Sequence, residues 1–207
     1  MARRTPGAGA AGARLVSGVL SNPRTFPPGG TLPGARAVPA PTPTPTPPPT
    51  RPPFTKDDEK AVHFYTTDAY RPLNNYLRDP SSVTDPAKRA EFDRQADWIS
   101  QGLSHLPPDP GTTYRGTGRG PFLDRYRVGE VVEEPAFSSS SKDPGVAQGF
   151  AGPNGAIFKI DGKNGRYIED YTDFPGEEEV AFDRGTRYEV TNRVEHGGRL
   201  FIDMKEQ

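Results

Sequence analysis

Cysteine is absent from the 207 residues, which excludes disulfides and thiolate metal sites. Histidine is scarce, and His63, His105 and His196 are scattered without ligand spacing, so no metal is expected. No apolar run approaches the ~20 residues that span a bilayer, so no transmembrane segment is expected. Hydrophobic residues make up only 32 %, too few beside 25 prolines for a globule throughout. Acids are missing from residues 1–53, which hold 14 of the prolines and six arginines. The remainder carries 20 basic against 27 acidic side chains, a net charge of −7. Such a domain lacks the basic footprint of a sequence-independent nucleic-acid binder, and no nucleic acid is expected as a partner.

Composition therefore divides the chain into a disordered Arg/Pro-rich tail and linker over 1–53 and a folded part over 54–207. The start, Met1-Ala2-Arg3-Arg4, is basic, but Arg14 interrupts what would be the apolar core of a secretory signal. Thr and Pro alternate across residues 41–49, a pattern for extended polyproline II that suits a spacer or a ligand for a proline-binding module.

Within the folded part, residues 54–106 read as helical. Thr55 followed by Asp57, Asp58 and Glu59 is an N-cap with acids in the first turn. Ala61, Phe64, Tyr65, Ala69 and Leu73 recur at helical spacing, with Pro72 expected to kink or end that helix. Phe92, Ala96, Ile99, Leu103 and Leu106 mark a second helix, stopped by Pro107 and Pro108. Beyond residue 111 the texture becomes short apolar runs between Gly and Pro. The strand candidates are 112–115, 156–160, 165–168, 180–182, 187–190 and 200–204, with Gly197-Gly198 as the turn between the last two. Helices first and strands second predict an α+β fold.

Three segments carry candidate chemistry. In Glu177-Glu178-Glu179, next to Val180-Ala181-Phe182, strand alternation would put Glu177 and Glu179 on one face, roughly 6–7 Å apart, with Glu178 opposite. Carboxylates so placed can divide labour between stabilising a cation and handling a second group; a solvated acidic loop is the alternative. Tyr114-Arg115-Gly116 ends a strand with a bidentate cation and bare backbone, suited to phosphate; a surface arginine is the alternative. Phe137 followed by Ser138 to Ser141 offers orientable hydroxyls for a ribose or a carboxylate, or is mere loop composition. The following Val146-Ala147-Gln148-Gly149-Phe150 reads as a short helix placing Phe150 to stack on a ring.

Arg115, the Phe-x-Ser-Ser-Ser row and Glu177-x-Glu179, in this order and spacing, resemble the Arg, Ser-Thr-Ser and Glu-x-Glu signature of the mono-ADP-ribosyltransferase toxins. Upstream, Tyr65, Tyr70 and Asn74, spaced five and four on the first helix, resemble the cofactor-covering helix of the clostridial actin-modifying group. Downstream, Arg184 to Tyr188 resembles the turn and strand after the catalytic glutamates. The resemblance implies N-terminal helices followed by two packed, mainly antiparallel β-sheets. It implies a monomeric enzyme that cleaves the nicotinamide–ribose bond of NAD, used as co-substrate without metal, and transfers ADP-ribose to a protein. Arg115 would clamp the pyrophosphate, with Gly116 near the nicotinamide end. Ser139 would orient the ribose and Glu179, and Glu179 would stabilise the cation. Phe150, Tyr65, Tyr70 and Asn74 would surround the cofactor. Glu177 would select an arginine acceptor, because a carboxylate can hold a guanidinium bidentately and favour loss of its proton. Tyr171 and Phe174 would recognise the target, and Glu178 would be dispensable. Departures are Ser140 for the family's threonine and Gly116 where the actin-modifying group has a second arginine; that group's further arginine is not evident near Pro153.

The expected setting is a secreted toxin or effector acting in the cytoplasm of a target cell, fed by its tail to a secretion system or forming one part of a larger toxin. An NAD glycohydrolase, or a non-enzymatic protein acting through its proline-rich tail, is the competing expectation.

Overall fold

The structure, a computed structural model, describes residues 51–207, so the tail expected over 1–53 lies almost wholly outside the described residues. Three helices come first: α1 (Lys56–Thr66), α2 (Tyr70–Arg78) and α3 (Pro86–His105). Thr55 caps α1 through a reciprocal box: its hydroxyl accepts from Asp58 N at 3.2 Å, and the Asp58 carboxylate accepts from Thr55 N at 2.8 Å. Asp85 caps α3 by accepting from Ala87 N at 2.9 Å, ahead of Pro86 in the first turn. The helix expected to run from Ala61 to Leu73 is two helices. It breaks after Thr66, whereas Pro72 sits in the first turn of α2, where its missing N–H has no intrahelical partner to lose. Tyr65 therefore lies on α1, and Tyr70 and Asn74 lie on α2.

Eight strands follow among the described residues: β1 (Gly111–Thr117), β2 (Val131–Glu134), β3 (Ser138–Ser141), β4 (Ala156–Gly162), β5 (Arg166–Tyr167), β6 (Glu179–Phe182), β7 (Thr186–His196) and β8 (Arg199–Glu206). One further helix, α4 (Pro144–Ala151), lies between β3 and β4. The strands pair in the order β2-β7-β8-β4-β1-β3-β6-β5, antiparallel throughout except for β4 with β8. Gly197 and Gly198, at φ 58° and 80°, close the β7–β8 hairpin with the two left-handed residues that its turn requires. No helix among the described residues is long and apolar enough to cross a membrane.

Two halves can be distinguished within this ladder. β1 meets β3 at a single registered pair, Tyr114 with Ser141, so β2-β7-β8-β4-β1 and β3-β6-β5 form five- and three-stranded halves joined at one seam. They face each other across a shared core: Val180 and Phe182 of β6 cluster with Val132, Phe158, Ile160, Tyr188, Val190 and Ile202 of the larger half. The two expected sheets are thus two layers of one continuous ladder. The outer face of the smaller half is covered by the first three helices, where Val62, Tyr65, Leu73, Phe92, Ile99 and Leu103 bury Phe137, Ile168 and Ala181. The seam is where the two layers part, and the chemistry-bearing segments gather there.

Candidate active site

A cavity of about 580 Å³ opens at the seam, lined by side chains from α1, α2, β1, β3, α4 and the turn before β6. Arg115, Ser139, Glu177, Glu179, Tyr65, Tyr70, Asn74, Gly116, Phe150 and Phe174 all line it. Tyr171 does not. Its half-buried ring packs on Phe54 at 5.1 Å between centroids, against the helical core.

Arg115 sits on the core-facing side of β1, and its Nη1 donates to the Ser139 carbonyl at 2.7 Å. This bond crosses the seam where strand pairing is nearly exhausted, so the guanidinium ties the halves together as well as facing the cavity. Ser139 in turn lies 2.7 Å, hydroxyl to hydroxyl, from Tyr65. Burial holds the Tyr65 phenol well above its ordinary range, with the negative charge of Glu179 adding to the effect. A phenol that stays protonated can donate to Ser139, leaving the serine's own proton for Glu179. Ser140 points elsewhere, donating to the Val180 carbonyl at 3.0 Å inside the core. On α2, Asn74 is only 3 % exposed; its Nδ2 donates to the Phe137 carbonyl at 3.0 Å, while its Oδ1 has no partner.

The glutamates arrive by a different route from strand alternation. β6 begins at Glu179, and Glu178 has φ 46°, the sole left-handed non-glycine residue among the described residues. A left-handed residue reverses the local path, so Glu177 and Glu179 both reach the cavity while Glu178 does not line it. Glu179 is 8 % exposed. Its burial raises the carboxyl above the ordinary glutamate range; the nearby Ser139 hydroxyl opposes this, Glu177 and Glu169 add to it, and Arg115 opposes it. Glu177 is also raised, by burial and then by Glu169. Two carboxylates with raised titrations thus converge beside a guanidinium, which is the electrostatic mark of a site arranged for charge or proton handling.

Gly116 is required, and the reason is packing. A Cβ there would stand 1.8 Å from the Ala147 carbonyl and 2.7 Å from Ala151 N, because α4 crosses directly over β1. The second arginine of the actin-modifying pattern has no room. Cations missed in the sequence come instead from α2, whose Arg71 and Arg78 line the cavity with Asn75. The signal was present: Asn74 and Arg78 are four apart, and Arg71, Asn75 and Arg78 follow the same helical spacing. Arg78 and Arg115 also border a second cavity of about 440 Å³ behind the seam. There the buried Glu134 accepts from Arg78 Nε at 3.0 Å and Arg125 Nη2 at 2.6 Å. At the mouth stand Phe150 and Phe174, 64 % and 59 % exposed.

Comparison with known proteins agrees with this geometry. The profile of the ADP-ribosyltransferase exoenzyme family matches residues 46–205. The Mav protein of Mycobacterium avium is 33 % identical over 158 residues, covering 75 % of this chain and 18 % of Mav. The NAD(+)--protein-arginine ADP-ribosyltransferase Tre1 of Serratia proteamaculans is 31 % identical over 155 residues, covering 73 % of this chain and 32 % of Tre1. The chain thus spans a third or less of these relatives. The crystal structure of the Vibrio splendidus ADP-ribosyltransferase Vis in complex with agmatine superposes with a TM-score of 0.65 at 26 % identity, covering 74 % of this chain and 75 % of Vis. The chain belongs to the ADP-ribosyltransferase exoenzyme family.

Proposed function

We propose that residues 54–207 form the catalytic unit of a mono-ADP-ribosyltransferase that uses NAD as co-substrate and modifies an arginine of a target protein. The observation that carries this reading is the meeting of Glu177 and Glu179, both raised, with Arg115 and Ser139 in one cavity.

The residues suit a dinucleotide. Arg71, Arg78 and Arg115 offer guanidiniums for a pyrophosphate, and Asn74 Oδ1 is a buried acceptor without a partner. The reaction is a substitution at the anomeric carbon. The bond to the nicotinamide nitrogen breaks, its electron pair neutralising the ring, and a bond to the acceptor nitrogen forms. Glu179 lies where a negative charge stabilises the cationic character that develops at the sugar, and Ser139, held by Tyr65, keeps that carboxylate oriented. Glu177 holds the incoming guanidinium and takes the proton it releases; its raised carboxyl is a better proton acceptor than an ordinary glutamate. Phe174 at the mouth would contact the target. Agmatine, the ligand named for Vis, carries the same guanidinium as arginine, which supports the choice of acceptor.

Delivery into a target cell is the setting this reading favours. Among the relatives are the "Secreted exoenzyme S" of Pseudomonas aeruginosa and the "ADP-ribosyltransferase toxin AexT" of Aeromonas salmonicida.

The test is transfer of labelled ADP-ribose from NAD to agmatine. Label in agmatine that disappears in Glu179→Ala is expected. Nicotinamide release without label in agmatine would instead identify a glycohydrolase, and neither product would remove the enzyme reading altogether.

A further inference from the structure

Glu169 does not line the cavity, yet its carboxylate holds the glutamate turn at both ends, while Lys142 N donates to the Glu178 carbonyl between them at 3.1 Å. It opens the short turn Glu169–Tyr171, directly after Ile168. One carboxylate oxygen, Oε1, accepts from Gly176 N, and the other, Oε2, accepts from Glu179 N at 3.2 Å. A single side chain thus grips the backbone on both sides of Glu177 and Glu178. Beside it, Ile168 N donates to the Glu179 carbonyl at 2.9 Å, fixing the base of the same loop.

The two ends of this grip differ in what else supports them. Glu179 is held without Glu169, through its place in β6 opposite Ser141 and the bond from Ile168 N to its carbonyl. Glu177 belongs to no strand or helix, and its neighbour Gly176 is at φ 100°, a conformation reached by few other residues. Losing the Glu169 carboxylate therefore frees the Glu177 side of the turn far more than the Glu179 side.

Its chemistry is also informative. A third carboxylate beside Glu177 and Glu179 repels both and adds to the upward displacement of each. A neutral glutamine would avoid that repulsion but could not serve two N–H donors, since its amide nitrogen is not an acceptor. Only a carboxylate of this length accepts at both ends.

We propose that Glu169 is the positioning residue of the acceptor site: by clamping Gly176 N and Glu179 N it sets the Glu177 carboxylate for a guanidinium, and so sets how much ADP-ribose goes to arginine and how much to water. The inference rests on the transferase reading.

The experiment measures agmatine labelling and NAD hydrolysis side by side in the wild-type chain and in Glu169→Gln. The transfer-to-hydrolysis ratio is expected to fall about ten-fold or more, the loss of a charge-assisted bond, while the KM for NAD moves by less than about two-fold. A merely structural role would lower both activities together, and an unchanged ratio would overturn the inference. Should Glu169→Gln not fold, Glu169→Asp, which keeps the charge but is too short for both amides, is read for the same ratio with the same consequences. A wild-type chain that hydrolyses NAD but labels no agmatine defeats the transferase reading itself. Wild-type labelling with an unchanged ratio in the variant defeats the role of Glu169 alone.

Discussion

Glu178 shows how much a single backbone conformation contributes to the site. Its left-handed φ of 46° turns the chain so that its two neighbours face the cavity. Left-handed backbone costs a side-chain-bearing residue about 1–2 kcal/mol, against about 0.5–1 kcal/mol for the extra freedom of glycine. Glu178→Gly is thus expected to keep stability within about 1 kcal/mol of wild type in urea unfolding and to keep NAD hydrolysis. Glu178→Val, stiff at its branched carbon, is expected to lose about 1–2 kcal/mol and to lower transfer as the turn relaxes. Glu179 makes a pH prediction. Its folded-state carboxyl is raised, so between the ordinary glutamate value and the raised one the folded chain binds more protons than the unfolded chain. Stability must then fall as pH rises through that window. Glu179→Gln, which removes the buried charge, is expected to raise Tm by about 2–4 °C at pH 7 and to have little effect near pH 4, while abolishing transfer. Differential scanning calorimetry across that range checks the sign.

At the scale of elements, the crossing of α4 over β1 decides what residue 116 can be. Gly116→Ala would drive a methyl group into the Ala147 carbonyl, so α4 must shift. A loss of about 1–3 kcal/mol in denaturant unfolding is expected, together with weaker NAD binding as Phe150 moves with the helix. Gly116→Arg, which would restore the actin-modifying pattern, is expected to be worse still. The cationic face of α2 predicts a different signature. Arg71 lies on the exposed rim, where it pairs with Asp68 three residues before it. Arg71→Ala should leave Tm unchanged and raise the KM for NAD by about three- to ten-fold with a smaller change in kcat, measured by steady-state kinetics. These arginines follow helical spacing in the sequence, but an expected kink or end at Pro72 hides the face they share; Pro72 instead sits in the first turn of a helix that begins at Tyr70. Tyr171 differs from its neighbours: an aromatic in an acidic loop reads as exposed, and only the packing of Phe54 against it shows that it is half-buried beside the helical core.

At the scale of the whole molecule, both buried clusters described are built from residues 62–204. Removing residues 1–50 is therefore expected to leave Tm unchanged and agmatine transfer within about two-fold of the full chain. If the tail serves delivery, activity in cells should fall while activity in solution is kept. The seam gives a second global expectation. Arg115 bonds the Ser139 carbonyl where β1 and β3 share a single registered pair, so Arg115→Ala should lower stability as well as activity.

The order of helices and strands, the helix caps, the Gly197–Gly198 turn and the motif residues themselves were determined by sequence, because each depends on local chemistry. Capping, turn conformation and alternation act within a few residues and leave a local imprint. What only the tertiary structure decided are the relations between distant segments. Pleating does not explain why Glu177 and Glu179 share a cavity; a left-handed residue in a turn clamped at both ends by Glu169 does. Nor does the spacing of Gly116 reveal that its missing side chain makes room for a helix thirty residues on. Close approach of backbones, burial of charge and the shared grip of one carboxylate on two amides arise only once the layers pack, so no local pattern could record them.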